Sequence, residues 1–137
     1  MVPLVLTVAR VRWRDGVVVL AVSGELDMCT ADQFDKELAG LAAAGHRRIA
    51  LDLAGLSFCD ASGLQVLVMA SARAKAARGW VRLAAAVPRV RRLVVITRLT
   101  GALPMFATVG HALGPLAASG SLEELNGPFP PGANDSR

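Results

Sequence analysis

The residues best equipped for chemistry are Asp60-Ala61-Ser62-Gly63-Leu64. Here an apolar run ends at a carboxylate, two small residues and a glycine before a second apolar segment with a different period begins. A serine at such a junction has two uses. It can cap or fill the first turn of a helix, where unpaired backbone N–H groups favour a small oxygen-bearing side chain by about 0.5–2 kcal/mol, and Asp60 can equally be that cap. Alternatively, its hydroxyl can accept a phosphoryl group. That would bring about −1.5 to −2 charge to a helix N-terminus without unfolding the domain, while a partner docked over the loop would meet new charge and bulk. Position alone does not separate these uses.

Other reactive chemistry is sparsely supplied. His46 and His111 are far apart in sequence, no nucleophile stands beside a base, and the glycines form no phosphate-cradling GxxxxGK[ST] loop. No catalytic residues, no enzyme activity and no cofactor are therefore expected. Cys29 and Cys59 are isolated, with no second pair and no histidine at ligand spacing, so no disulfide or metal site is expected and both are read as small buried hydrophobes.

The elements that must position Ser62 follow from periodicity. Val17–Val22 is a β-branched run after Asp15-Gly16, a hairpin turn pair, with Leu4–Val8 as its antiparallel partner. Thr30 suits a helix N-cap, Phe34, Leu38 and Leu41 recur at i, i+4 and i+7, and Gly45 stops that helix. Ile49, Leu51 and Leu53 alternate with Ala50 and Asp52, as in a strand whose second face is only partly covered, and Ser57 belongs to its end. A helix over 62–78 turns Leu64, Leu67, Val68 and Ser71 one way and Gln65, Met69, Ala72 and Ala76 another, with Gly79 ending it. "WVRLAAAV" reads as a strand. Pro88 opens a helix carrying Val90, Leu93, Val94 and Thr97 inward. A short strand at Pro104–Ala107 and a helix over 109–118 close the order ββαβαβαβα, which implies an α/β fold with an N-terminal hairpin, a mixed central sheet and about four helices packed on it.

Length and composition bound the rest. A chain of 137 residues that is 53% hydrophobic builds one domain, expected over 1–118, while the Pro/Gly-rich 119–137 is expected to be a flexible tail. Leu122–Leu125 could serve as a docking segment within it. No apolar stretch approaches the roughly 20 residues of a membrane span, and the order of charges near Met1 is wrong for a signal peptide, so a cytoplasmic protein without membrane contact is expected. The net charge of +4 is scattered and accompanied by no aromatic stacking set, which argues against direct DNA binding. Trp13 and Trp80 are expected at strand edges, and Arg73 and Arg78 are candidates for contact with an acidic partner. Met69, Ala72 and Ala76 either meet a partner or second copy, or pack under a neighbouring helix.

"LDLAGLSFCDASGLQVL" resembles the signature of the STAS domain family, in particular bacterial anti-sigma-factor antagonists. "VSGELDMCTADQFDKEL" is similar to the family's Gly-Glu-Leu-Asp element and following helix, and "RLTGALPMFATVGHAL" to its closing segment. The similarity runs over about residues 4–118 in the right order. It implies an antagonist that, unphosphorylated, binds an anti-sigma factor which is itself a serine kinase, thereby releasing a sigma factor. Phosphorylation of Ser62 would switch it off, and a phosphatase would restore it. Asp60 matches the acidic residue before the serine, and Asp27 the acidic residue of the first loop, near the serine in the family. Asp27, Asp60, Ala61, Ser62, Gly63, Gln65 and Met69 are the expected partner-binding residues. Many relatives have a second serine where Ala61 stands, which leaves Ser62 the acceptor within the pentapeptide and Ser57 a lesser alternative. A homodimer is left open, as is a ligand-sensing or scaffolding role of the kind other STAS domains play.

Overall fold

The computed structural model describes residues 6–14 and 17–114, with side chains described for 6–10 and 17–114. The elements are β1 (Leu6–Arg14), β2 (Val17–Leu26), α1 (Ala31–Ala43), β3 (Arg48–Cys59), α2 (Ala61–Ala76), β4 (Trp80–Ala84), α3 (Pro88–Ile96), β5 (Met105–Phe106) and α4 (Val109–Leu113). This is the expected order, and the five strands form one sheet in sequence order. β1 pairs antiparallel with β2, whereas β2–β3, β3–β4 and β4–β5 are parallel. Each parallel step requires a crossover, which α1, α2 and α3 supply. Those helices therefore start at the carboxyl ends of the strands and return to the amino ends.

Alternation along the strands sorts the core into two layers. Val18, Leu20, Ile49, Leu51 and Leu83 face α1, α2 and α3, meeting Phe34, Leu38, Leu67, Val90 and Val94. Burying each such side chain stabilises the fold by about 1.5–3 kcal/mol. The other face holds Val17, Val19 and Ala50 under Leu113, with Trp80 and Val109 beside them. On that face the Arg82 guanidinium lies 3.9 Å from the centre of the Trp80 ring and donates to the Ala112 carbonyl at 2.8 Å, fixing α4 to β4. Among the described residues no helix is long and apolar enough to cross a membrane.

Several details differ from the sequence reading. β1 runs on to Arg14, which pairs in register with Val17. β3 runs through Ala54 and Gly55 and past Ser57, as read from sequence, to end two residues later at Cys59, and it shifts register against β2 near Ser23 and Gly24. Gly55 lies close against Ser23 of β2, so a Cβ there would crowd the Ser23 side chain. Arg78, not Gly79, takes the left-handed turn after α2 (φ 63°), while the Gly79 N–H closes on the Ala74 carbonyl at 2.7 Å. Thr97 is exposed at the end of α3, its hydroxyl donating to the Leu93 carbonyl, rather than turned inward. Cys59 is buried but Cys29 is exposed, because it sits on the turn before α1 and not on a core-facing element. The Asp15-Gly16 turn, the Trp13 side chain, the extension of α4 towards 118, the tail and Leu122–Leu125 lie outside the described residues.

Candidate functional site

Two loops meet at the carboxyl end of the sheet. The first follows β2. The Asp27 carboxylate accepts from the N–H groups of Cys29 at 2.9 Å and Thr30 at 3.2 Å, wrapping the turn that opens α1. Thr30 occupies the N-cap position, but its hydroxyl makes no cap bond. It is buried, accepts from the Asp27 N–H at 3.0 Å and donates to the Glu25 carbonyl at 2.8 Å, so it ties the loop to the strand it leaves.

The second loop follows β3. Asp60 is the N-cap of α2: its Oδ1 accepts from Ser62 N–H at 2.9 Å and Gly63 N–H at 3.1 Å. The cap question is thereby answered, with the carboxylate filling that place and Ser62 standing second in the helix. The two loops are joined directly. Asp60 N–H donates to the Leu26 carbonyl at 3.1 Å. Gly63 is pressed so closely to Leu26 that a Cβ there would lie 2.4 Å from Leu26 Cγ and 2.9 Å from its carbonyl oxygen. Glycine is required by this contact rather than by an unusual backbone angle. Beneath, Cys59 is buried, and burial first, then the neighbouring Asp60 charge, push its thiol up to about 12, so it stays protonated.

The Asp27, Thr30 and Asp60 side chains are thus committed to backbone, whereas the serine beside them is not. Ser62 is half-buried, and among the described residues its hydroxyl has no hydrogen-bond partner. It opens onto a groove of about 330 Å³ between α1 and α2, lined also by Met28, Asp32, Asp35, Val66 and Met69, with Gln65 on its wall. Of the sequence-predicted residues, Ser62, Gln65 and Met69 line this groove. Asp27, Asp60 and Gly63 shape the loops behind it, and Ala61 is exposed at the start of α2. Ser57 lies on β3 and donates to the Gly24 carbonyl at 3.0 Å, so its hydroxyl is engaged in holding the strands.

Sequence reasoning missed Met28, Asp32 and Asp35 as neighbours of Ser62. Their signal was their place in the loop and first turns preceding the Phe34–Leu41 helix, which only helix packing brings beside α2. Arg73, offered as a partner contact, lies 3.7 Å from the Asp35 carboxylate. Met69, Ala72 and Ala76 are exposed, so no neighbouring helix covers them among the described residues.

A larger cavity of about 590 Å³ lies at the opposite end of the same helices, walled by Ala39, Ala42 and Ala74 beside His46, Arg47 and Arg73. Burial, then Arg10, hold the His46 imidazole below its usual pKa, and Arg47 donates to the Ala77 carbonyl at the end of α2. This is space between helix ends whose arginines already serve the fold.

A five-stranded mixed sheet with its helices in this order defines an α/β domain, and comparison with known proteins gives its family. Residues 9–107 match the family model described as "Mlab, STAS domain", and the chain belongs to the STAS domain family. BtrV of Bordetella bronchiseptica, described as a candidate anti-sigma factor antagonist, is 28% identical over 91 residues, covering 66% of this chain and 78% of its own. The crystal structure of an anti-sigma factor antagonist from Mycobacterium paratuberculosis is 29% identical, with a TM-score of 0.71, covering 80% of this chain and 92% of its own. SpoIIAA in its unphosphorylated form shares the fold at 22% identity and a TM-score of 0.70, covering 82% of this chain and 97% of its own. The phosphorylated form of the same Bacillus protein does so at 21% identity and 0.64, over 80% and 99%.

Proposed function

We propose that this chain is an anti-sigma-factor antagonist: unphosphorylated, it binds an anti-sigma factor that is a serine kinase and frees a sigma factor, and phosphorylation of Ser62 ends that binding. The observation that carries the proposal is the free Ser62 hydroxyl, unbonded and open to the groove in a junction where the neighbouring polar side chains of Asp27, Thr30 and Asp60 are committed to backbone. The kinship with anti-sigma factor antagonists supports the same reading.

The chemistry is phosphoryl transfer. Ser62 Oγ forms a bond to the γ-phosphorus of ATP, the bond from that phosphorus to ADP breaks, and the hydroxyl proton passes to a base of the kinase. To react, Ser62 must be held against the nucleotide, so the phosphoserine formed there crowds and repels the ADP phosphates across the contact. Within the domain the new charge gains little, because Asp60 already occupies the N–H groups of Ser62 and Gly63. The charge therefore acts on the partner and not on the fold. A phosphatase delivering water to the phosphorus restores the hydroxyl. This role is regulatory, and the chain acts as substrate and ligand rather than as enzyme.

The test is incubation with the cognate anti-sigma kinase and ATP, followed by site mapping by mass spectrometry. One phosphate on Ser62, absent from Ser62→Ala, is the expected result; phosphate at Ser57 or nowhere would sink the proposal.

A further inference from the structure

Of the four large hydrophobic side chains exposed among the described residues, Met28 and Met69 border the groove at Ser62, whereas Val95 and Ile96 stand elsewhere, 52% and 68% exposed in the last turn of α3. Val90 and Val94, on the opposite side of that helix, are buried in the core. Arg89, Arg91 and Arg92 share the exposed side with Val95 and Ile96, and Arg98 follows just beyond the helix. Helical spacing sets Arg91 one turn before Val95 and Arg92 one turn before Ile96, so cations and aliphatic groups alternate across one surface.

These arginines carry charge that the fold does not use. From residue 61 to residue 122 the chain has eight lysines and arginines and no carboxylate at all. Among the described residues Arg89, Arg92 and Arg98 have neither an ion pair nor a hydrogen bond, and Arg91 has one bond, to the neutral Ala86 carbonyl at 3.2 Å. Arg73 and Arg82 are different, the first beside the Asp35 carboxylate and the second held between Trp80 and the Ala112 carbonyl. Cations near the start of α3 also oppose its dipole and repel one another, with no acidic residue in the first turn to offset them. Fold stability does not account for such a face.

We propose that α3 docks the domain on an anionic phospholipid surface, its arginines pairing with lipid phosphates while Val95 and Ile96 enter the apolar boundary beneath the headgroups. The mixture of side chains selects lipid over other polyanions. A nucleic-acid backbone would engage the arginines but leave the aliphatic pair in water, and α3 carries no aromatic ring on which a base could stack. Lipid rewards both halves, since an arginine stem lies in apolar surroundings while its planar head stays with phosphate. Charge that is scattered along the sequence is thus gathered by one helix. A surface contact needs no spanning segment, so the expectation of no membrane contact, drawn from the lack of one, does not bear on it. The Ser62 groove is built from other residues, and this contact uses none of them.

The test uses the full chain and no kinase, so its outcome is independent of the antagonist reading. Co-sedimentation is measured with vesicles of phosphatidylcholine alone and with about one third phosphatidylglycerol, at about 0.05 M and about 0.5 M salt, where the screening length differs severalfold. Binding is expected to the anionic vesicles and not to the neutral ones, and about tenfold weaker or more at the higher salt. One cation near such a surface is worth about fivefold in binding, so Arg92→Glu should weaken it by about fivefold or more. Lys75→Glu makes the same charge change on the exposed side of α2 and should weaken it by less than about twofold. Ile96→Ser, which changes no charge, should weaken binding by about tenfold and leave its salt dependence as it was. All three side chains are exposed, so each variant should keep the wild-type circular dichroism spectrum. The same proteins are titrated against duplex DNA. No binding to anionic vesicles, equal losses for Arg92→Glu and Lys75→Glu, no loss for Ile96→Ser, or Arg92-dependent binding to DNA without binding to vesicles would overturn the proposal.

Discussion

The helices α1 and α2 are held at both ends, but by different chemistry. At the amino end of the sheet most of the work is done by backbone, with the Arg47 guanidinium adding one bond to the Ala77 carbonyl. Gly45 (φ 95°) and Arg78 (φ 63°) turn the chain out of each helix, Trp80 N–H donates to the Arg47 carbonyl at 2.8 Å, and Gly79 is packed so tightly that a Cβ would lie 1.7 Å from the Arg47 oxygen. At the carboxyl end the work is done by side chains: Asp27 and Asp60 each gather two N–H groups, and Thr30 ties its loop back to β2 at the Glu25 carbonyl. Each end has a glycine that admits no Cβ, Gly79 at one and Gly63 at the other, but the carboxyl end also presents a half-buried hydroxyl with no described partner. Under the proposed function, that difference separates a structural junction from one that changes charge without changing shape.

The sharpest way to break the comparison is at its rigid end. Gly79→Ala drives a methyl into a carbonyl that cannot yield without moving β3 or β4, and is expected to lower unfolding free energy by about 3 kcal/mol or more in urea titration. At the other end, Asp60→Ala removes two capping bonds and should cost about 1–2 kcal/mol, with Asp60→Asn recovering most of it because an amide oxygen still caps. Ser62→Ala deletes a hydroxyl that bonds to nothing described, and the same titration should register less than about 0.5 kcal/mol. A loss for Ser62→Ala as large as that for Asp60→Ala would return the serine to a structural role. A smaller effect separates the two cysteines that flank the junction. Ellman's reagent should label Cys29 quickly in the native protein and Cys59 only after unfolding, because burial keeps the Cys59 thiol protonated and shielded.

Much of this architecture was legible in sequence, for reasons that particular residues make plain. The change from period two at Ile49–Leu53 to a helical period at Leu64–Ser71 locates the strand, the loop and the helix, and with them Ser62. The run of β3 to Ser57 was legible, but its register shifts against β2 were hidden, because nothing in residue type marks where exposed Ala54 and Gly55 interrupt the alternation. Thr30 was placed correctly as the N-cap, yet its hydroxyl serves Glu25 and Asp27 instead of the helix, a choice fixed by the turn geometry and invisible in residue type. The pentapeptide named the serine and its carboxylate. It could not name Asp32 and Asp35, which reach the groove only because α1 packs alongside α2.

The central claim is that the charge on one hydroxyl decides partner binding while the domain stays folded. Isothermal titration of the nucleotide-bound anti-sigma kinase with the wild-type chain, Ser62→Ala and Ser62→Asp addresses it directly. Wild type and Ser62→Ala should bind alike, and Ser62→Asp should bind weaker by on the order of 100-fold, since a like charge set into a docked contact costs several kcal/mol. Equal affinity of Ser62→Asp and Ser62→Ala, with both chains folded, would contradict the account.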